Sequence, residues 1–159
     1  MSSFAQEATA LSGLTAGVHT LALNDVDALG LKYGLDRRKA EITLLELGIM
    51  PRRYLRNYGT VGLDGQLLLL QSSVAVIGLG GLGGYAVEAL ARMGVGHLIL
   101  VDGDVFLDHN LNRQLLSQEE NLGQSKAEVA SERVRQINPA VEMTACSCYA
   151  TAENLGLLL

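Results

Sequence analysis

Four glycines, one carboxylate, one asparagine and two cations carry the chemistry that can be read from this chain. Gly78-Leu-Gly80-Gly81-Leu-Gly83 follows a short apolar run and opens a stretch with helical periodicity. In that setting Gly78 permits a tight turn. Gly80 and Gly81 let backbone N–H groups approach a phosphate, and Gly83 lets the helix pack closely on the strand. The helix N-terminus adds unpaired donors and a favourable dipole for an anion. Asp102 ends the next apolar run, about 20 residues further on, where an acidic side chain accepts from the hydroxyls of a ribose. Its neighbours Asp104 and Asp108 read as solvated loop carboxylates. These residues imply a nucleotide site and leave ATP, NAD and FAD open.

Arg113, Lys126 and Asn110 lie beyond the second apolar run. A hydride-transfer enzyme holds its pyrophosphate mainly with backbone donors and has little use for extra cations there. A triphosphate attacked at its α-phosphorus does, because negative charge grows on the bridging oxygen and on departing pyrophosphate. Asn110 can hydrogen-bond phosphate or ribose. Taken singly, a surface arginine, a solvated helix lysine and a turn asparagine would explain these three residues equally well.

The elements that must position them are legible from patterning. Val74–Ile77, His97–Val101 and Val141–Ala145 are apolar runs expected as buried parallel strands. Residues 82–93 and 124–137 read as helices, closed by Gly94 and by Asn138-Pro139. Ala152 begins another. Strand and helix alternate, so the expected fold is α/β, a Rossmann-like, mostly parallel sheet with crossover helices. Ahead of it, residues 1–50 form an expected N-terminal extension, partly helical, with Asp36 capping a helix to about Leu47. Arg52, Arg53, Tyr54 and Arg56 follow as a basic-aromatic cluster, and Gly62–Gln71 as a turn and short helix. The nucleotide-binding domain is expected over 51–159. Three strands are few for this architecture, so the sequence reads as the front part of a longer polypeptide.

With 48% hydrophobic residues, 18% charged and a net charge of −5 over 159 residues, the chain suits a folded core. No basic stripe is present, so a nucleic-acid duplex is not an expected partner. No apolar run is long enough for a membrane span. Cys146 and Cys148 lack zinc-knuckle spacing and are expected to be structural thiols at a strand end. The expected setting is a reducing cytoplasm.

Several of these segments together resemble the ThiF/MoeB/HesA-type adenylyltransferases, relatives of the ubiquitin-activating enzymes. They are Arg53-Tyr-Leu-Arg56, Val76–Gly83, Gly94-Val-Gly96, Leu100-Val-Asp102, Asn110-Leu-Asn-Arg-Gln114, Gly123-Gln-Ser-Lys126 and Ile137-Asn-Pro139. The resemblance implies roles. Gly81 would lie against the nucleotide phosphates and Asp102 would hold the ribose. Asn110, Arg113 and Lys126 would grip the triphosphate. Arg56 would reach the γ-phosphate of a neighbouring subunit, which implies a homodimer. The implied reaction uses ATP and Mg²⁺ to adenylate the C-terminal glycine of a small ubiquitin-like sulfur-carrier protein ending in Gly-Gly. The family's later Asp motif for Mg²⁺, its paired C-x-x-C zinc ligands and its catalytic cysteine are not in these residues, so no metal ligand is assigned. Asn57 stands where many relatives have glutamine, and residues 1–50 have no counterpart. The alternatives are an NAD- or FAD-dependent oxidoreductase, or a non-catalytic nucleotide-binding module.

Overall fold

The computed structural model describes residues 3–158. The chain divides into two compact units, residues 1–71 and 72–159. The division falls at Gln71/Ser72, not at the 50/51 boundary expected from the sequence. Residues 52–71 pack within the first unit: Tyr54 and Leu70 share a core cluster with Val18, Leu45 and Met50.

The first unit contains α1 (Phe4–Leu11), β1 (Gly13–Thr15), β2 (Val18–Leu21), α2 (Leu23–Tyr33), α3 (Arg37–Glu46), β3 (Ile49–Pro51), a 3-10 segment Arg52–Asn57 and α4 (Tyr58–Gln71). Helix α3 forms as expected, with the Asp36 side chain accepting from the Lys39 N–H at 2.8 Å. The sheet does not follow from patterning. β1 pairs antiparallel with β2 through the tight turn Ala16-Gly17, both at positive φ, and β3 adds parallel to β2. Three- and four-residue strands are too short for alternation to declare itself. Gly62 breaks α4 at φ 68°, ψ −168°, a conformation that a side chain rarely adopts.

The second unit is a parallel sheet of β4 (Ser73–Ile77), β5 (His97–Val101) and β6 (Glu142–Cys146) in that order, connected through α5 (Gly83–Met93) and α6 (Lys126–Ile137), with α7 (Leu155–Leu158) following. This is the α/β architecture with crossover helices that the alternating pattern predicts. Right-handed crossovers in one direction place α5 and α6 on the same face of the sheet. Two links join them. Glu88 accepts from Arg133 Nε and Nη2 at 2.8 and 2.9 Å, and the buried Asn138 donates to the Ala91 carbonyl at 3.0 Å. The second link gives Ile137-Asn-Pro139 a structural reason: the asparagine adds a donor to a carbonyl in the last turn of α5, which also accepts a longer bond, 3.3 Å, from the capping Gly94 N–H. Leu98 and Leu100 of β5 are fully buried.

Candidate nucleotide site

The glycine loop is built by close approach. Gly78 sits at φ +87°, and its N–H donates to the Val101 carbonyl at 2.8 Å. A Cβ on Gly83 would lie 1.8 Å from the Gly78 carbonyl oxygen. No side chain fits there, and this approach lets α5 start directly above the turn. A Cβ on Gly80 would meet the Gln114 amide nitrogen at 3.5 Å, whereas one on Gly81 would meet nothing within 4 Å. Gly83 is therefore constrained from inside the fold, a Cβ on Gly80 would make only ordinary contact, and Gly81 faces open space.

Asp102 leaves the end of β5 half-buried. Its Oδ2 accepts from the Leu79 N–H in the glycine loop at 2.7 Å, and its Oδ1 from the Asp104 N–H at 2.8 Å. A carboxylate has about four acceptor positions, so two remain for hydroxyl donors. The same carboxylate shapes the turn and stays able to bind.

Beyond Asp102 a backbone bracket fixes the next residues. Phe106 N–H donates to the Gln124 carbonyl, Gly123 N–H to the Phe106 carbonyl and Lys126 N–H to the Asp104 carbonyl. The bracket sets the Lys126 side chain beside that of Asp104, Nζ to Oδ2 3.0 Å, and 6.0 Å from the Phe106 ring centroid. Lys126 is 5% exposed, so it is not a solvated helix lysine. Its buried ammonium needs a counter-charge, which Asp104 provides. Asp104 in turn accepts from the Tyr149 hydroxyl at 2.6 Å. That hydrogen bond first, and the Lys126 ammonium second, hold its carboxyl below the usual carboxylate range, and the same bond raises the Tyr149 phenol. Asp104 is thus half of an ion pair, not the free loop carboxylate its position suggested; Asp108 is exposed as expected. The Tyr149 ring lies over Gly103, where a Cβ would come within 2.7 Å of it.

Lys126, Asn110, Arg113, Gln114, Asp104 and Tyr149 share the wall of one cavity of about 440 Å³. Asn110 is 4% exposed, and its Oδ1 accepts from the Leu107 N–H at 3.0 Å. Its carbonyl therefore holds the turn, while its NH₂ remains for a ligand. Arg113 is exposed and donates from Nη1 to the His109 carbonyl at 2.7 Å and to Asn112 Oδ1 at 3.0 Å. None of the loop glycines lines this cavity; the Gln114 side chain stands between it and Gly80. A larger groove of about 660 Å³ runs along α6. Arg133 and Arg135 in its wall are already paired with Glu88 and Glu132, which leaves it no spare cation for a phosphate.

Arg56 lies on the exposed surface of the first unit, and its role toward a nucleotide rests on the resemblance alone. Cys146 and Cys148 are half-buried free thiols at the end of β6. Among the described residues no group of three His, Cys, Asp or Glu could hold a metal ion, and no helix is long and apolar enough to cross a membrane. Sequence reasoning gave no role to Gln114 or Tyr149. Gln114 at least stood inside a recognised motif, whereas nothing in the sequence ties Tyr149 to a loop 45 residues earlier.

Known proteins extend this picture. The chain is 41% identical over 101 residues to the tRNA threonylcarbamoyladenosine dehydratase of Escherichia coli, covering 64% of this chain and 37% of that protein. It is 44% identical over 95 residues to the sulfur carrier protein ThiS adenylyltransferase of Escherichia coli, covering 60% and 38%. Among solved structures, the E. coli tRNA N6-threonylcarbamoyladenosine dehydratase in complex with ATP superposes with a TM-score of 0.65 at 37% identity, covering 67% of this chain and 44% of that one. E. coli MccB with ATP gives 0.58 at 30% identity, covering 62% and 31%. The chain thus spans about two fifths of the length of the curated relatives it matches. The ThiF family profile matches residues 54–158, more than half of the chain, and the chain belongs to the ThiF family.

Proposed function

We propose that the complete protein uses ATP to adenylate a carboxylate. The observation that carries this reading is the buried Lys126 ammonium, set in one cavity wall with Asn110 and Arg113, beyond a glycine loop whose Gly81 faces open space. In the reaction a carboxylate oxygen bonds to the α-phosphorus of ATP, the bond to the α,β-bridging oxygen breaks, and pyrophosphate leaves. Lys126 and Arg113 would meet the charge gathering on that pyrophosphate, and the Asn110 NH₂ would donate to a phosphate oxygen. Asp102 would accept from ribose hydroxyls with its two spare positions. These residues suit a nucleotide triphosphate in kind: cations and an amide for phosphates, a carboxylate for a sugar and a glycine turn for close backbone approach. For Mg²⁺ the described residues offer no comparable set, and no step here depends on it.

The carboxylate we favour is the C-terminal glycine of a small ubiquitin-like sulfur-carrier protein ending in Gly-Gly, supported by similarity to a ThiS adenylyltransferase. The second reading is a carboxylate on a modified tRNA, supported by similarity to tRNA threonylcarbamoyladenosine dehydratases. A threonylcarbamoyl group carries a carboxylate, so removing water from it calls for the same activation. In either case Arg56 would complete the site of a second copy in a homodimer. Calorimetry with ATP, NAD and FAD tests the shared step, and ATP–pyrophosphate exchange with each acceptor separates the two. Binding is expected for ATP alone, and Arg113→Ala should lower exchange about tenfold or more. Preference for NAD or FAD, or undiminished exchange in that variant, would refute the proposal.

A further inference from the structure

Gln114 is 7% exposed, and its Oε1 is enclosed with no donor from any described residue. Buried polar atoms are nearly always paired, and one that is not needs a reason. Two neighbouring cations are engaged elsewhere. Lys126 Nζ is on Asp104, and Arg113 Nη1 is on the His109 carbonyl and Asn112. The backbone of Gln114 is held in its own turn, its N–H donating to the Asn110 carbonyl and its carbonyl accepting from the Ser117 N–H. Only the side-chain amide is left over. It lies in the cavity wall, and its Nε2 is 3.5 Å from where a Cβ on Gly80 would stand, one residue beyond the Leu79 N–H that Asp102 grips.

We infer that Gln114 is a ligand-contacting residue that reads the junction between sugar and phosphate in a bound nucleotide. This assignment rests on the nucleotide reading above and adds a contact to it. The chemistry follows from what an amide offers. Its NH₂ donates to a phosphate oxygen. Its carbonyl accepts only from a donor, which an ionised phosphate lacks and a ribose hydroxyl has. A ligand carrying both groups side by side satisfies the whole amide; inorganic polyphosphate satisfies half of it.

The test is Gln114→Met, an apolar side chain of similar length, compared with the wild-type chain. If the amide serves the fold, the variant melts at a lower temperature. If it waits for a ligand, removing an unpaired buried carbonyl leaves the ligand-free melting temperature unchanged or raises it, while ATP binds about tenfold more weakly. Binding of tripolyphosphate, which has no hydroxyl, is expected to change little. Gln114→Leu substitutes should the methionine variant fail to fold. In the wild-type chain the Gln114 side-chain amide NMR signal should move on titration with ATP and far less with tripolyphosphate. Wild-type ATP affinity in a folded variant, or equal losses for ATP and tripolyphosphate, would overturn this assignment and leave the nucleotide reading standing. Failure of the complete wild-type protein to bind ATP would overturn both.

Discussion

Among the described residues each unit of this protein buries one charged side chain, and the two burials differ in kind. In the first unit Glu41 is fully enclosed. The Tyr54 hydroxyl donates to its Oε2 at 2.9 Å, Arg53 stands 3.6 Å from Oε1, and that Oε1 has no hydrogen bond. Burial is the main influence on it and pushes its carboxyl above the usual range, against the pull of Arg53 and Tyr54. In the second unit the Lys126 side chain is 7% exposed, but its partner Asp104 is 51% exposed and lies on a cavity. One charge is sealed among side chains of its own unit. The other is buried beside a partner that is itself exposed on a cavity wall. A sealed ion pair adds little stability beyond a good apolar replacement and is costly to break. A pair opening on a cavity keeps a cation desolvated where an incoming anion can share it, and a desolvated charge acts more strongly on a ligand.

The largest expected effect probes the open pair. Lys126→Ala should lower ATP–pyrophosphate exchange in the complete protein by roughly 10²–10³-fold, the range for losing one donor to developing charge, with circular dichroism unchanged. A variant that exchanges at the wild-type rate would make this lysine as structural as Glu41 and erase the contrast. The next effect separates shape from binding within the glycine loop. Gly83→Ala forces a methyl into the Gly78 carbonyl and should cost about 3 kcal/mol, at the upper end for overpacking, read by urea denaturation. Gly81→Ala meets no atom and should stay within about 0.5 kcal/mol of wild type while weakening ATP. Equal destabilisation by the two substitutions would show that Gly81, too, is held by the fold.

The smallest effect sharpens the sealed side. Glu41 has its native pKa raised above the ordinary 4.5, so the folded state binds its proton more tightly than the unfolded state does. Its contribution is complete below pH 4.5 and is lost as pH rises through the raised native value. The stability of wild type relative to Glu41→Gln should therefore fall over that window, by an amount on the order of 1 kcal/mol. Asp36 and Glu88 are depressed instead, and their contribution runs the other way, fading as pH falls through their lowered native values. The measured quantity is the difference between the two proteins in urea titrations at several pH values. A flat difference would show that Arg53 neutralises Glu41 fully.

Much of the second unit is legible without coordinates because its signals are local. The strand before Gly78, the helix after Gly83 and the stop at Gly94 each depend on neighbours a few residues away. Asp102 is found by counting from the loop. Lys126 was found through its motif, but its burial was not legible, since the bracket closing Asp104 onto Lys126 joins segments 22 residues apart. For the same reason Asp104 read as a solvated carboxylate and Tyr149 read as nothing in particular. In the first unit β1, β2 and β3 are too brief to show a period, and β3 finds its partner in β2, far earlier in the sequence.

The chain's own order of residues determined where backbone must turn without a Cβ, where a helix can begin and which side chains carry charge, because steric limits and turn chemistry act over a few residues. Tertiary structure alone decided that one lysine is desolvated beside an exposed aspartate, that one glutamate is sealed away, and that one buried glutamine carbonyl is left unpaired. Burial and pairing are properties of surfaces brought together from far along the chain, and no local pattern encodes them.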